Sequence, residues 1–416
     1  MILHYLYEGG FYLIVFLSTY IQVFFLVTFL EKGKQIVRRN GPTDLEKCPT
    51  VTIIVPCWNE EATIYRTVRS LLALDYPKNK IDIFLVDDGS TDNTWNVMKR
   101  FQKYSNIKIF QKENGGKHTA VNFGIENSKS EFIGCLDADS FVDSNALKRI
   151  MTYFEKNKEI MAVSPSIIVH NPKSIIQKLQ KIEYNWAVFN KKMLAFLGGI
   201  HVTPGPFSIY KRKVFEQIGV FRKAHNTEDM EIAFRMQKNH LKIEQCNDAY
   251  VYTVAPNTVI KLYKQRLRWV HGFMRNTIDY RGILFRKNYG AFSWFTVPSG
   301  IISVITVPYM LGIALYSTMN FVFSKIQQFS VGGINYPILT THIDPFFINT
   351  KPLFFMSLVL YGLILGMVLI GKKMAEGKTS FSFSIIYFMI VYSVIAPFWV
   401  MKSFYNVIFA KKTSWR

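Results

Sequence analysis

The sequence predicts an α/β domain, doubly wound about a parallel sheet and held between membrane-crossing helices, one before it and about three after it. Three observations carry this expectation. Between residues 51 and 156, short β-branched runs alternate with segments of helical periodicity, the pattern of a sheet whose strands are joined through helices. Two of the runs close on acidic clusters, Asp87-Asp88 and Asp137-Ala138-Asp139, at the strand ends where such sheets collect ligands. Outside this region lie long, nearly uncharged apolar stretches.

Taken in order, residues 11–30, FYLIVFLSTYIQVFFLVTFL, carry no charge and are long enough to cross about 30 Å of hydrocarbon as a helix. No small-residue cleavage site follows, so the stretch reads as an anchor rather than a removed signal peptide. Lys32, Lys34, Arg38 and Arg39 follow it while no lysine or arginine precedes it. That asymmetry places the N-terminus outside and residues 31–290 in the cytoplasm. A strand is expected at 51–56 (VTIIVP), then a helix with Ile64, Val68, Leu71 and Leu72 at helical spacing, then a strand through IDIFLVDD. A helix at 92–104, a strand at 107–110, a helix at 117–128, a strand at 131–139 and a helix at 144–156 continue the alternation. Apolar stretches at 292–323, 352–371 and 381–401 complete four crossings. Lys372, Lys373 and Lys378 suit a cytoplasmic turn between the last two. Lys402, Lys411, Lys412 and Arg416 then fall outside, against the same rule.

Composition bounds the class. With 416 residues, 49% hydrophobic and 19% charged, the chain is too apolar for an ordinary soluble enzyme and too polar for an all-helix transporter. The four cysteines, Cys48, Cys57, Cys135 and Cys246, show no paired spacing, so neither a disulfide framework nor a zinc site is indicated. A net charge of +21 comes without any nucleic-acid-binding motif, and anionic lipid and phosphorylated substrate account for it better.

The acidic clusters point to a chemistry. Either alone is explained by turn formation. Together, DDGSTD and, some 50 residues later, DAD supply one group suited to a nucleobase or ribose and another suited to a divalent cation. Mg²⁺ favours one or two carboxylates plus substrate phosphate oxygens, which a short Asp-x-Asp can supply. NGGKHTA at 114–120 adds a glycine pair opening a helix, with Lys117 in reach of a phosphate.

These elements, VPCWNE, DDGSTDNT, NGGKHTAVNFGI, DAD, NTED and QRLRW, occur in one order across about residues 50–270. In them the chain resembles the family 2 glycosyltransferases of GT-A fold, specifically the processive, membrane-embedded branch that includes poly-N-acetylglucosamine, chitin, hyaluronan and cellulose synthases. The resemblance implies that Asp88, with Asp87 beside it, contacts the uridine, and that Pro56, Glu60 and Lys117 line the nucleotide pocket. Asp137 and Asp139 would hold Mg²⁺ or Mn²⁺ and the diphosphate. Asp229, next to Glu228, would be the general base, and Gln265, Arg268 and Trp269 would form the family's Q-x-x-R-W element. There Trp269 would stack beneath the acceptor sugar while Gln265 and Arg268 approach the diphosphate. A small membrane partner protein is implied by analogy with the poly-N-acetylglucosamine branch.

The chemistry at these positions can be argued independently. Breaking a sugar–phosphate bond develops oxocarbenium character and a charged leaving group, so a metal and cations must stabilise the departing diphosphate and a base must activate the attacking hydroxyl. Thr227-Glu228-Asp229 opens a helix, with Thr227 at the N-cap. Capping alone explains the acids, yet a helix N-terminus also favours an ionised carboxylate. If 260–278 is helical, Ile260, Tyr263, Leu267, Val270, Met274 and Ile278 share a stripe that can lie on a bilayer. Gln265, Arg268, Trp269 and Gly272 face the other way, and Lys261, Lys264, Arg266, Arg275, Arg281, Arg286 and Lys287 suit an anionic surface.

The expected organisation is an anchor at 1–31, a cytoplasmic GT-A domain at 48–258, amphipathic interface helices at 259–290 and a membrane region at 291–416. The expected protein is a multi-pass cell-membrane enzyme, an inverting transferase. It would extend a β-linked polysaccharide from a UDP-sugar, with UDP-N-acetylglucosamine the expected donor, and pass the product between its spans. The alternatives are a non-processive transferase acting on a lipid-linked acceptor and an inactive transferase-like scaffold.

Overall fold

A computed structural model describes residues 2–36, 45–332 and 352–409. Helix α1 (Ile2–Lys32) leads into β1 (Val51–Cys57), α2 (Ile64–Leu72), β2 (Ile81–Asp88), α3 (Thr94–Lys99), β3 (Ile107–Lys112), α4 (Lys117–Asn127), β4 (Phe132–Cys135), β5 (Ser140–Val142) and α5 (Ala146–Lys156). Then come β6 (Ile160–Val169), α6 (Ile175–Phe196), β7 (Ile209–Lys211), α7 (Arg212–Ile218), α8 (Glu228–Lys238), β8 (Lys242–Thr253), α9 (Val259–Asp279), α10 (Val297–Gly332), α11 (Pro352–Glu376) and α12 (Ser384–Ile408).

The strands form one eight-stranded sheet in the order β3-β2-β1-β4-β7-β6-β8-β5. Its first half is the parallel βα unit that the alternating sequence predicts, with β1 between β2 and β4 and β2 beside β3. Its second half departs from that expectation. Strand β7 runs antiparallel to both β4 and β6, and β5 antiparallel to β8, while β6 and β8 pair in parallel. Strand β7 follows α6, a 22-residue helix, long enough for a parallel crossover, yet the chain returns antiparallel to β6. Two expected elements are also shorter. Helix α3 stops at Lys99, and β4 ends at Cys135, which leaves Asp137 and Asp139 in the loop beyond the strand.

Alternation along β1 and β2 divides the core between the two faces. Ile53, Val55, Ile83 and Leu85 pack on one side with Val68, Leu71, Met98, Leu147 and Ile150. On the other, Ile54, Phe84 and Val86 join Val121, Ile125, Phe189 and Met193, and this cluster continues into Phe25 of α1, Phe295 and Met367 of α11. The second face of the sheet is thus covered partly by membrane helices.

Helix α6 makes the junction. A capping box starts it: Gln177 N donates to Ser174 Oγ at 3.2 Å, and Ser174 N donates to Gln177 Oε1 at 3.1 Å. Lys192 Nζ ties it to the sheet through Glu244 Oε1 (3.0 Å) and the Gln245 carbonyl (2.9 Å). On its outer side Asn185 Nδ2 donates to Glu376 Oε1 of α11 at 2.7 Å. Gly371 lets the two backbones meet there, since a Cβ at that position would strike the Asn185 carbonyl and lie 3.1 Å from Trp186 Cα.

Among the described residues, four helices are long and apolar enough to cross a membrane, over Gly9–Gln35, Phe292–Gln328, Phe354–Glu376 and Ser384–Ile408. The protein is a multi-pass membrane protein with a soluble α/β domain. The basic residues Arg38, Arg39, Lys411, Lys412 and Arg416 lie outside the described residues.

Candidate active site

The loops beyond β1 and β2 are laced together before any ligand is considered. Asn59 sits in the left-handed region at φ 55°, which Asn tolerates better than most residues. There its N–H donates to Ser90 Oγ (3.0 Å), and its side-chain carbonyl accepts from Thr91 N (2.8 Å). Glu60 N donates to Thr94 Oγ1 at 2.7 Å, and Thr63 Oγ1 donates to Glu60 Oε2 at 2.7 Å.

The adjacent aspartates have different surroundings. Asp87 is fully buried, and its oxygens accept from Ser90 N (3.1 Å) and Gln111 Nε2 (3.1 Å). Asp88 faces the cavity described below and accepts from Gly115 N (3.1 Å), Gly116 N (2.8 Å) and Lys112 Nζ (2.7 Å). This gives the glycine pair of NGGK a structural purpose: Gly116 lies at φ 92°, a conformation that favours glycine, and turns its amide onto the carboxylate.

Lys117, the first residue of α4, spans two acidic motifs, with Nζ 2.6 Å from Asp137 Oδ1 and 3.5 Å from Glu228 Oε1. Burial works against its charge, but the two carboxylates outweigh burial and raise its pKa well above the ordinary lysine value. Asp139 is pushed up to about 6, first by burial and then by Asp137 and Glu60. Carboxylates that repel one another at a strand end favour a cation between them and a substrate. Among the described residues no three His, Cys, Asp or Glu side chains group to hold a metal, so any cation here needs oxygens from a ligand. Asp137 and Asp139 fit that requirement.

The helix-capping account of Thr227 does not hold. Thr227 is the N-cap of α8 but makes no side-chain cap bond. Its hydroxyl donates to the Ala224 carbonyl (3.1 Å) and accepts from Asn276 Nδ2 (3.1 Å) of α9. The turn before it, with His225 and Asn226 at φ 54° and 60°, aims the hydroxyl away from the helix. Asp229 is anchored by its backbone, whose carbonyl accepts from Thr203 N (3.1 Å) and Thr203 Oγ1 (3.0 Å). Its pKa is raised by burial and by Glu228, against Lys117 and Arg268. Burial, not the helix terminus, therefore dominates its titration.

Helix α9 covers this turn. Arg268 Nη1 donates to the Asn226 carbonyl at 3.1 Å. Ile260 and Ile278 stay exposed as the apolar stripe predicts, but Val270 of that stripe lines the cavity with Gln265, Arg268 and Trp269. Arg266 does not belong with the surface cations: it is 4% exposed and paired with Glu183 Oε2 at 2.6 Å. Gly272 sets the contact between α9 and the Thr-Glu-Asp turn, because a Cβ there would collide with the Thr227 side chain. Gly272→Ala is expected to lower stability by about 1–3 kcal/mol, as overpacking does, and to depress activity with it. Thermal unfolding in detergent checks this, and an unchanged melting temperature would show that the contact yields freely.

The site residues expected from the sequence, all except Asp87, line one cavity of about 1190 Å³. Its wall includes Pro56, Glu60, Asp88, Lys117, Asp137 and Asp139, Glu228 and Asp229, and from α9 Gln265, Arg268 and Trp269. It continues to Gly300 and Val304 of α10 and Trp399 of α12. Two further residues enter the wall, Lys191 and His201. Burial, partly offset by Asp229, lowers Lys191 to about 8, and burial together with Lys191 lowers His201 to about 4. Sequence reasoning passed over both; the only signal was a lysine pair inside the otherwise apolar end of α6.

Residues 52–219 match the profile described as glycosyl transferase family 2. A Staphylococcus epidermidis protein described as poly-beta-1,6-N-acetyl-D-glucosamine synthase is 28% identical over 304 residues, 68% of this chain and 73% of the relative. A second Staphylococcus epidermidis protein of that description is 27% identical over 341 residues, 76% and 82% of the two chains. Among solved structures, a mannosyltransferase from Pyrobaculum calidifontis, in complex with GDP-Man and Mn²⁺, shares the fold at a TM-score of 0.52 and 15% identity, covering 88% of this chain and 99% of that one. Residues 52–219 are thus a glycosyl transferase family 2 domain set among membrane helices, and the chain is a glycosyltransferase homologous to the poly-beta-1,6-N-acetyl-D-glucosamine synthases.

Proposed function

We propose that the protein is a membrane polysaccharide synthase that transfers N-acetylglucosamine from UDP-N-acetylglucosamine to the non-reducing end of a growing β-linked chain, and that the product leaves between its spans. The observation that carries this reading is the continuity of the cavity: one space joins the acidic strand ends to Trp269 and on to Gly300, Val304 and Trp399 of the membrane helices. A transferase making a single addition has no need of that extension.

In this reading Asp88, Glu60 and Pro56 hold the nucleoside, with Asp87 fixing the turn behind Asp88. Asp137 and Asp139 would bind Mg²⁺ or Mn²⁺, which when bound supplies charge stabilisation to the departing diphosphate. Lys117 exchanges its carboxylate partners for phosphate oxygens, and Arg268 and Gln265 approach the same group from α9. Asp229 accepts the proton of the acceptor hydroxyl as its oxygen bonds to the anomeric carbon and the bond to UDP breaks. One displacement inverts the centre, so an α-linked donor yields a β-linked product. The indole of Trp269 offers a flat apolar face to the C–H side of a pyranose ring.

Product length tests the whole reading. Purified protein incubated with radiolabelled UDP-N-acetylglucosamine is expected to give long polymer. A single addition would establish the lipid-linked-acceptor alternative, and no product with any UDP-sugar would leave only the scaffold. The proposed domain division and cytoplasmic placement of residues 48–258 are checked with Lys103→Cys, an exposed position, in a Cys48→Ser background, the other three thiols being buried. Protection from an impermeant maleimide in intact cells is expected, and labelling there would reverse the orientation.

A further inference from the structure

Arg266 lies inside the Q-x-x-R-W element, yet nothing in the transfer reaction as described above requires it. It is tied on three sides. Nη2 donates to Glu183 Oε2 of α6 at 2.6 Å, Nη1 donates to Gln265 Oε1 at 3.2 Å, and the guanidinium carbon lies 4.1 Å from the centre of the Trp269 ring. The i,i+3 spacing of Arg266 and Trp269 produces that stacking directly. One side chain therefore orients two of the three motif residues and takes one face of the indole.

The other end of the network is in the membrane. Tyr392 of α12 donates from Oη to the same Glu183 oxygen at 2.7 Å. Tyr392 stands in a file of rings, 4.6 Å from Phe388 and 6.1 Å from Trp399, and Trp399 forms part of the cavity wall. Removing a charge as buried as Arg266 from water is costly, and an apolar cluster of similar volume commonly stabilises a protein as well. The benefit of an ionic bridge is its direction: it fixes three helices in one register.

We propose that Glu183, Arg266 and Tyr392 form a positioning bridge that holds the acceptor-facing plane of Trp269 in register with α12, and so sets how many sugars are added before the product dissociates. The inference rests on the polymerase reading given above. A growing chain must stay seated on Trp269 after each transfer while its far end lies against the wall of α12. If platform and wall move independently, the chain loses one contact when it uses the other. All three side chains line the cavity, but none makes a hydrogen bond or ion pair with Asp88 or Asp229 among the described residues, and Tyr392→Phe leaves the Arg266–Gln265 bond in place, so in that variant dissociation changes while donor binding does not.

The test uses the full-length protein in lipid vesicles with radiolabelled UDP-N-acetylglucosamine and compares the parent with Tyr392→Phe, which removes one hydroxyl, and with Glu183→Gln. The readouts are product length, initial rate and KM for the UDP-sugar. Both variants are expected to shorten the mean product by about two- to tenfold, the factor one hydrogen bond contributes to a residence time, and in Tyr392→Phe the donor KM is expected to stay unchanged. Parental product length in Tyr392→Phe overturns the inference. So does a shortening accompanied by an equal fall in initial rate or a raised donor KM, since that is the signature of general loosening. Should the parent itself add a single sugar, the polymerase reading fails. The bridge is then tested by the acceptor KM, which must rise in Tyr392→Phe for it to stand.

Discussion

Asp229→Asn is expected to fold, insert and bind UDP as the parent does while losing polymer synthesis almost completely. The asparagine keeps the size of the side chain and an oxygen able to accept from Met230 N, as Asp229 Oδ1 does at 2.9 Å, so the structural cost is at most several tenths of a kcal/mol. Loss of a general base costs about 10² to 10⁴ in rate. The direction of the titration strengthens the contrast. Burial and Glu228 raise the folded pKa of Asp229, so the native state binds the proton more tightly than the unfolded chain, and ionisation of this group works against folding as pH rises through the folded value. Asp229→Asn removes that penalty and should melt at or above the parental temperature at neutral pH, while its activity collapses. For the parent, activity should fall on the acid side at a pH above the ordinary aspartate value of 3.8. Retention of more than about a tenth of the parental rate, too much for a lost base, would move the catalytic assignment elsewhere.

Asp139→Ala is expected to remove activity by at least about 100-fold, because a bound cation contributes several kcal/mol to a departing charge. It should also weaken UDP binding measured by calorimetry in Mn²⁺, and the binding difference between parent and variant should vanish in EDTA. Burial and two neighbouring carboxylates, Asp137 and Glu60, already disfavour the charged form of Asp139, so the variant loses metal affinity while giving up, within the fold, the hydrogen bond from Ser140 Oγ to Asp139 Oδ1 at 3.1 Å. Full parental activity in EDTA would sink the metal assignment.

What could be read from the sequence was local. The β-branched runs of β1 and β2, the helical spacing of Ile64, Val68 and Leu71, and the glycines before Lys117 each act within a few residues, and they placed the parallel half of the sheet and the acidic strand ends. What escaped depends on partners far along the chain. The antiparallel insertion of β7 follows from where α6 returns the chain. The burial of Arg266 depends on Glu183, 83 residues away. The failure of Thr227 as a cap depends on Asn276, 49 residues away, whose amide draws the hydroxyl out of capping geometry. Lys191 and His201 belong to the same class, since the lysine pair at 191–192 is a faint mark and nothing beside His201 in sequence points to the cavity.

Helix α6 has two owners. Through Lys192 it belongs to the sheet, and through Asn185 and Gly371 to α11, at a separation no side chain could fit between. A catalytic fragment cut free at residue 258 would keep the helix but lose what its outer side rests on. Its apolar residues would face water, and the fragment would be sticky where the intact enzyme is oiled. The membrane is therefore structural material for the active site, and the enzyme should be assayed with its spans attached.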